Sequence, residues 1–161
     1  MSPRDVVAAS DSVPLSYRLL LTVVEPLFAV NGAMLVLLAP ERYLSTVTRH
    51  GGTFAAGSTF LYTLLGGAWL YFAFVEAVVM RACDDVRLWR LLCAGMLVSD
   101  VAFCHSAAQA VGGWTSWADL SAWTLDDHLV FWATVPFLVV RVLVVLGIGV
   151  GPRARVQSRS R

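Results

Sequence analysis

Four long runs of apolar residues, separated by short polar stretches, organise the chain. They cover residues 15–38, 54–80, 88–111 and 128–150. Each run has about the length of roughly 20 residues that a helix needs to cross the ~30 Å hydrocarbon core of a bilayer. The pattern therefore predicts an all-α integral membrane fold, an up-down bundle of four transmembrane helices.

Ordinary boundary residues flank these runs. Pro40 is expected to end the first helix, and Gly151 with Pro152 is expected to end the fourth. The first run is too long for the apolar region of a cleaved signal peptide, so we expect it to remain in the mature protein. The predicted divisions are an N-terminal segment (1–14), a transmembrane domain (15–150) and a basic tail (151–161), disordered from residue 153 onward.

Composition agrees with a membrane protein. Of 161 residues, 58% are hydrophobic and 14% are charged, and the mean hydropathy is +0.70. A soluble domain carries about a quarter charged residues. The sequence has no phosphate-binding loop, metal-ligand spacing or basic nucleic-acid surface, so we expect no cofactor, no metal and no nucleic-acid partner.

Arginine determines the predicted orientation, because the chain contains no lysine. Cytosolic loops of membrane proteins are enriched in positive charge. Two arginines, Arg42 and Arg49, fall on one side of the predicted spans and nine fall on the other. Both termini are therefore predicted to be cytosolic, in a membrane that we expect to be the endoplasmic reticulum. The nine are Arg4, Arg18, Arg81, Arg87, Arg90, Arg153, Arg155, Arg159 and Arg161.

Three ionisable residues fall near the middle of three different runs. With a rise of ~1.5 Å per residue, Glu25, Asp100 and Arg141 lie within roughly 3 Å of the bilayer midplane. An isolated charge at this depth costs from about 2.5 to more than 10 kcal/mol, so we expect these side chains to face each other. They are the predicted catalytic residues.

Charge balance suggests what the three residues do. Two carboxylates and one guanidinium carry one excess negative charge, which a proton can neutralise. The predicted ground state is therefore one acid and one base, held by Arg141. Sharing of the proton with a cationic His105 explains the pattern equally well, and a structural salt bridge without chemistry is a further alternative.

Two more polar features are expected nearby. Pro26 has no N–H, which leaves a backbone carbonyl near Thr22 free to accept a hydrogen bond. Glu76 lies toward the cytosolic end of the second run, where we expect it to pair with Arg18 or Arg81.

Four further residues are predicted to position a substrate or water. Asn31 and His105 lie about 7 to 8 Å from the three charges, toward the non-cytosolic side. Trp69 and Trp132 can line an apolar pocket above the carboxylates. Small residues expected to let neighbouring helices approach closely are Gly32, Gly66 and Gly67.

Short motifs along the chain resemble a known family. From about Tyr17 to Val150 the sequence resembles small four-helix integral membrane proteins of filamentous fungi, a family known mostly as a domain of unknown function. Its members often lie near secondary-metabolite gene clusters, so the resemblance implies the fold and a setting in secondary metabolism, without a mechanism. The motifs are Tyr17-Arg18, Glu25-Pro26, Asn31-Gly32-Ala33, Glu76, Trp89-Arg90 and Arg141.

The leading functional hypothesis joins the buried charges to an apolar setting. Limonene-type epoxide hydrolases place an arginine between two acidic residues, and membrane-bound terpene cyclases protonate an epoxide with intramembrane carboxylates. The same residue types occur here, without kinship of fold. We therefore expect a membrane-embedded acid/base enzyme, an epoxide hydrolase, cyclase or isomerase that acts on a lipophilic polyketide or terpenoid intermediate.

Three alternatives stay open. A non-catalytic membrane binding or assembly protein would use the charges as a structural lock and recruit soluble pathway enzymes at its cytosolic face. The others are a cofactor-independent oxygenase and a small transporter, which would have to form a homo-oligomer. The expected partners are a lipophilic small-molecule substrate and membrane lipid.

Overall fold

The computed structural model describes residues 7–151 and contains four long apolar helices. No strand occurs within residues 7–151, so the predicted all-α, membrane-spanning bundle is confirmed. The predicted disorder of residues 153–161 lies outside the described residues. The four helices are span 1 (Leu15–Leu38), span 2 (Ala56–Ala82), span 3 (Val86–Ala110) and span 4 (Leu125–Leu146).

Both ends of the described chain lie at one end of the bundle, which we call the proximal end. The N–H of Val86 donates to the carbonyl of Val7 at 3.0 Å, and the N–H of Gly151 donates to the carbonyl of Ser12 at 3.1 Å. The link between spans 2 and 3 therefore lies beside the first and last described residues. The opposite, distal end carries the other two connections.

Span 1 begins and ends as predicted, whereas span 4 begins and ends earlier than predicted. Thr124 and Asp127 form a reciprocal capping box, which starts the helix at Leu125. Gly147, with a φ of 76°, ends it in the left-handed conformation that glycine adopts without steric cost. Local capping therefore overrides the apolar pattern, which continues to Val150.

Pro40 begins a helix as well as ending one. The short helix Pro40–Val47 follows span 1 almost directly. Proline is favoured at the first position of a helix, where its missing N–H would have no partner. After this helix the chain turns through two residues with positive φ, Arg49 and His50, and Arg49 then pairs with Asp127 at 3.0 Å. This pairing holds the short helix against the start of span 4 at the distal end.

Two π-helical segments interrupt spans 1 and 2, at Leu20–Val24 and Val75–Val79. Such segments are rare and are frequent at functional sites. Pro26 follows the first segment and cannot donate to the carbonyl of Thr22, which instead accepts a hydrogen bond from Arg81 Nη2 at 2.7 Å. The predicted free carbonyl is confirmed, with Arg81 as its partner.

The buried core lies toward the proximal end. Leu21, Met80 and Val144 are buried there, and Trp89 Nε1 donates to the carbonyl of Met80 at 2.8 Å. The outer surface is apolar as well, which a soluble bundle of this size would avoid and which lipid tolerates. Large apolar side chains that are about two thirds exposed or more include Leu27, Leu64, Leu91 and Val98.

Glycine brings spans 1 and 2 into close contact. A Cβ atom at Gly32 would lie 2.7 Å from the ring of Trp69, and one at Gly66 would lie 2.6 Å from Leu37. Both glycines therefore allow the close approach that was predicted for them. Gly67 does not, because it lies on the exposed side of span 2, where a Cβ would have no atom within 4 Å.

Gly32→Ala is expected to destabilise the protein, whereas Gly67→Ala is not. The methyl group added at Gly32 overlaps a rigid indole ring, and overpacking of this kind costs about 1–3 kcal/mol. The same methyl group at Gly67 enters open space and serves as the matched control. The free energy of unfolding of both variants is measured in a detergent titration. Equal stability of Gly32→Ala and the parent would contradict the packing of Gly32 against Trp69.

Candidate functional site

Arg141 binds three carboxyl groups, each from a different span. Its Nη2 lies 2.6 Å from Glu25 Oε1 and also binds Glu76, while its Nη1 binds Asp100. The structure thus brings together Glu25, Asp100 and Arg141, as the sequence predicted, and adds Glu76. We call these four residues the carboxyl–arginine cluster.

Three of the four residues of the carboxyl–arginine cluster are buried, and Asp100 is partly exposed. The exposed fraction is 0% for Glu76, 3% for Arg141 and 9% for Glu25. Arginine keeps its proton in proteins, so the cluster has one fixed positive charge. Three ionised carboxylates would leave two uncompensated negative charges in a medium of low dielectric constant, which is very unfavourable. Two protons held among the three carboxyl groups bring the cluster to neutrality.

Glu76 is the member of the cluster that sequence reasoning misplaced. It binds Arg141, whereas its expected partners Arg18 and Arg81 bind backbone carbonyls. The predicted depth of Arg141 was wrong because span 4 begins and ends earlier than predicted, so Arg141 lies nearer the proximal end. Glu76 lies seven residues past residue 69, the middle of span 2, and Arg141 lies five to six residues past the middle of span 4, both toward the proximal end. The residues next to Glu76 in the sequence are all apolar, and this could have indicated that Glu76 lies inside the bundle.

Three buried polar atoms of the cluster have no hydrogen-bond partner within residues 7–151. They are Glu25 Oε2, Glu76 Oε2 and Arg141 Nε. An unsatisfied buried polar group costs about 1–3 kcal/mol, so its presence in a native structure calls for a reason such as strain or function. The cluster therefore retains acceptor and donor capacity that its own ion pairs do not use.

A cavity of about 560 Å³ lies against the cluster, and all four charged residues line it. Its volume falls within the range of about 300–1,000 Å³ that is typical of small-molecule sites. The rest of the wall is mostly apolar, which suits a lipophilic ligand. The aromatic lining residues are Phe28, Tyr43, Trp69, Phe72 and Phe103.

Trp69 anchors the aromatic wall. Its ring packs edge-on against Tyr43, with centroids 5.7 Å apart, and against Phe103, with centroids 6.0 Å apart. Edge-to-face pairs at such distances are favourable. Asn31 lines the same cavity, so the structure places Asn31 and Trp69 where the sequence predicted. Their role toward a ligand stays a prediction.

His105 and Trp132 lie outside this cavity, which corrects the expectation that they line it. His105 is exposed, and its Nδ1 accepts a hydrogen bond from Trp114 Nε1 at 3.2 Å. It follows Asp100 by five residues, and at about 100° per residue this places it roughly 140° away around the helix. Trp132 is 65% exposed and packs against Phe131, so it faces the surroundings of the bundle.

Span 4 is interrupted beside the cavity. A turn at Ala133 and Thr134 separates the helical segments Leu125–Trp132 and Val135–Leu146. Pro136 has no N–H for the backbone hydrogen bond that would continue the helix, which accounts for the break. Both turn residues line the cavity, the setting in which non-helical backbone is tolerated at membrane depth. Sequence reasoning missed the break, although Pro136 signals it.

Polar residues line the distal side of the cavity. The helix Pro40–Val47 contributes Arg42, and the start of span 4 contributes Asp126. The ion pair between Arg49 and Asp127 holds these two elements together. A ligand in the cavity therefore meets charged groups at both ends and apolar groups between them.

The cluster is arranged around its own cation. Within residues 7–151, no group of three or more His, Cys, Asp or Glu side chains could hold a metal ion. The carboxyl groups of Glu25, Glu76 and Asp100 all point instead to the guanidinium of Arg141. The positive charge at this site is thus provided by the chain itself.

Removal of the cation is expected to cost more stability than neutralisation of any one carboxyl group. Arg141→Met leaves three carboxyl groups, two of them buried, without a counter-charge, and breaking a buried ion pair in this way costs about 3–5 kcal/mol. Glu25→Gln, Glu76→Gln and Asp100→Asn each remove a charge that a proton also neutralises, so each should cost about 1–3 kcal/mol. The free energies of unfolding in a detergent titration rank the four variants.

Arg42→Met is the matched control, because Arg42 is exposed and forms no ion pair within residues 7–151. It should unfold like the parent. Adding Glu76→Gln to Arg141→Met should recover part of the lost stability, since it removes one uncompensated carboxyl group. Equal stability of Arg141→Met and Arg42→Met would exclude an energetically coupled cluster.

Similarity to a described family covers the whole membrane domain. No curated protein and no solved structure is significantly similar to the chain. A family described as "Domain of unknown function (DUF7704)" matches residues 10–151, which include all four spans and the carboxyl–arginine cluster. The chain therefore belongs to the DUF7704 family.

Proposed function

We propose that the protein is a membrane-embedded acid/base enzyme that acts on a lipophilic small molecule in the cavity beside Arg141. The observation that carries this proposal is the cavity of about 560 Å³ that Arg141 and all three carboxyl groups of the cluster line. The excess of carboxyl groups over arginine provides protons to donate and a carboxylate to accept them. A cluster with a purely structural role needs neither a proton donor nor a proton acceptor.

The cavity wall supports a lipophilic substrate. Aromatic rings of Phe28, Trp69 and Phe103 line it, and the charged groups lie at its two ends. An apolar compound concentrates in the bilayer and can enter such a cavity without crossing water. The low dielectric constant also strengthens the interaction of the cluster with a polar group of the substrate. A polyketide or terpenoid intermediate has this character and is the proposed substrate class.

Epoxide opening is the proposed reaction. A protonated carboxyl group donates its proton to the epoxide oxygen while the carbon–oxygen bond breaks. The ionised carboxyl group accepts a proton from water, whose oxygen forms the new bond to carbon. Epoxide and water give a diol, and the cluster ends with as many protons as it had at the start. When a hydroxyl group of the substrate takes the place of water, the product is a cyclic ether isomeric with the epoxide.

Accessibility divides the roles within the cluster. The side chains of Asp100 and Glu25 are 16% and 12% exposed, whereas that of Glu76 is 0% exposed. Asp100 and Glu25 are therefore the proposed acid and base that touch the substrate. Glu76 does not reach the substrate and contributes only to the net charge of the cluster. Arg141 binds all three carboxyl groups. Asn31, on the cavity wall, is proposed to orient the attacking water.

A non-catalytic assembly role is the second candidate. The ion pairs of Arg141 join all four spans, which favours a structural lock that fixes the helices relative to each other. Exposed arginines at the proximal end, such as Arg87 and Arg90, would then recruit soluble pathway enzymes. The two candidates differ in how they respond when a carboxyl group is replaced by an amide of the same shape.

Glu25→Gln and Asp100→Asn are expected to abolish product formation while folded protein stays in the membrane. Positioned proton transfer contributes about 10² to 10⁴ in rate, and an amide cannot provide it. Metabolite profiles compare a deletion strain with strains that carry the parent or either variant at matched protein level. The precursor should accumulate in both variants. Its mass should differ from that of the product by one water for hydrolysis, and not at all for cyclisation.

Glu41→Gln is the matched control for these amides. Glu41 is exposed at the distal end and does not line the cavity, so this variant should restore the parent profile. Normal product from both Glu25→Gln and Asp100→Asn would exclude the acid/base role. The assembly role would then be the better account of the cluster.

A further inference from the structure

A second cavity, of about 350 Å³, lies at the proximal end between spans 1 and 2 and the N-terminal segment. It is separate from the cavity at the carboxyl–arginine cluster and shares no lining residue with it. Its polar lining residues include Ser10, Arg18, Thr22, Arg81 and Asp84. Two guanidinium groups therefore face one small volume at the edge of the membrane domain.

Among residues 7–151, each of the two guanidinium groups donates to one backbone carbonyl. Arg18 Nη1 donates to the carbonyl of Ser10 at 3.1 Å, and Arg81 Nη2 donates to the carbonyl of Thr22 at 2.7 Å. Neither arginine has a carboxylate within 4.0 Å among residues 7–151. A guanidinium has five N–H donors, so each retains donors in a planar fork that matches phosphate oxygens.

Asp84 is the acidic residue in the lining, and its oxygens are already occupied. Oδ1 accepts from the backbone N–H of Ser10 at 2.6 Å, and Oδ2 accepts from the Ser10 hydroxyl at 2.5 Å. These hydrogen bonds hold the pKa of Asp84 below its usual value, so it is ionised at neutral pH. Two arginines and one aspartate leave the lining with one net positive charge.

The shape of the cavity distinguishes a lipid from a free anion. Leu15, Leu19 and Val23 form its rim on span 1, and all three are exposed on the outside of the bundle, where acyl chains lie. Arg18 Nη1 lies beside Ser10, which precedes span 1, and Arg81 Nη2 lies beside the carbonyl of Thr22, seven residues after the first residue of that span. An apolar rim beside a cationic floor fits an amphiphile better than an inorganic ion.

We propose that Arg18 and Arg81 together bind the phosphate of an anionic phospholipid, with its acyl chains along the exposed face of span 1 from Val23 toward the bilayer centre. Arg81 is positioned for this by the carbonyl of Thr22, which Pro26 leaves free. The site is independent of the acid/base function proposed above. It gives the proximal end of the bundle a specific lipid ligand.

The test measures phospholipid binding by the full-length protein in a neutral detergent. Native mass spectrometry during titration gives apparent affinities for phosphatidylglycerol, phosphatidylcholine and inorganic phosphate. Phosphatidylglycerol should bind most tightly, because its phosphate charge is not neutralised by a choline. Arg18→Gln and Arg81→Gln should each weaken that binding about fivefold, and the double variant about 25-fold. Binding of phosphatidylcholine should change little.

Arg87→Gln is the matched control, because Arg87 is exposed at the same end of the bundle but does not line the cavity. Parent-like binding of phosphatidylglycerol by the double variant would overturn the proposal, as would an equal loss in the control. Displacement of the lipid by inorganic phosphate at similar concentration would assign the site to a free anion and overturn its assignment to lipid. If the double variant does not fold, parent-like binding of phosphatidylglycerol by both single variants would overturn the proposal.

Discussion

One guanidinium inside the membrane domain imposes the arrangement of the whole bundle. Arg141 keeps its proton, and a bare cation among apolar helices is costly, so carboxyl groups must surround it. Each comes from a different span, and one set of ion pairs therefore fixes the rotation and the height of all four helices together. Helices in lipid lack the hydrophobic force that presses soluble helices together, so packing and polar contacts between helices drive their association.

Irregular backbone accompanies three of the four charged residues. Glu25 directly follows one π segment, Glu76 lies within the other, and Arg141 comes after the break at Pro136. Each irregularity changes the direction of a side chain relative to a regular helix. Asp100 lies in span 3, which is α-helical throughout, and it keeps the most exposed side chain of the four. Regular helical hydrogen bonding is thus interrupted in the three spans that carry Glu25, Glu76 and Arg141.

The four spans and three members of the cluster could be predicted from sequence, because hydropathy and the cost of an intramembrane charge act on single residues. The depth of each charged residue along the bundle could not be predicted from sequence. Glu76 looked peripheral because the predicted bounds of span 4 put Arg141 at the midplane, whereas both residues lie five to seven residues beyond the middle of their spans. The start and end of span 4 depend on hydrogen bonds and backbone angles at Thr124 and Gly147, which hydropathy does not register.

The order of charges along the chain has a consequence for synthesis. The three acidic members of the cluster belong to spans 1, 2 and 3, whereas the cation belongs to span 4 and leaves the ribosome last. Until then the earlier spans carry acids for which Arg141 is not yet available. A bilayer accepts a carboxyl group far more readily when it is protonated and neutral. We therefore expect the acidic groups of the early spans to enter lipid in their neutral form, and the arrival of Arg141 to allow one carboxyl group to ionise and pair with it.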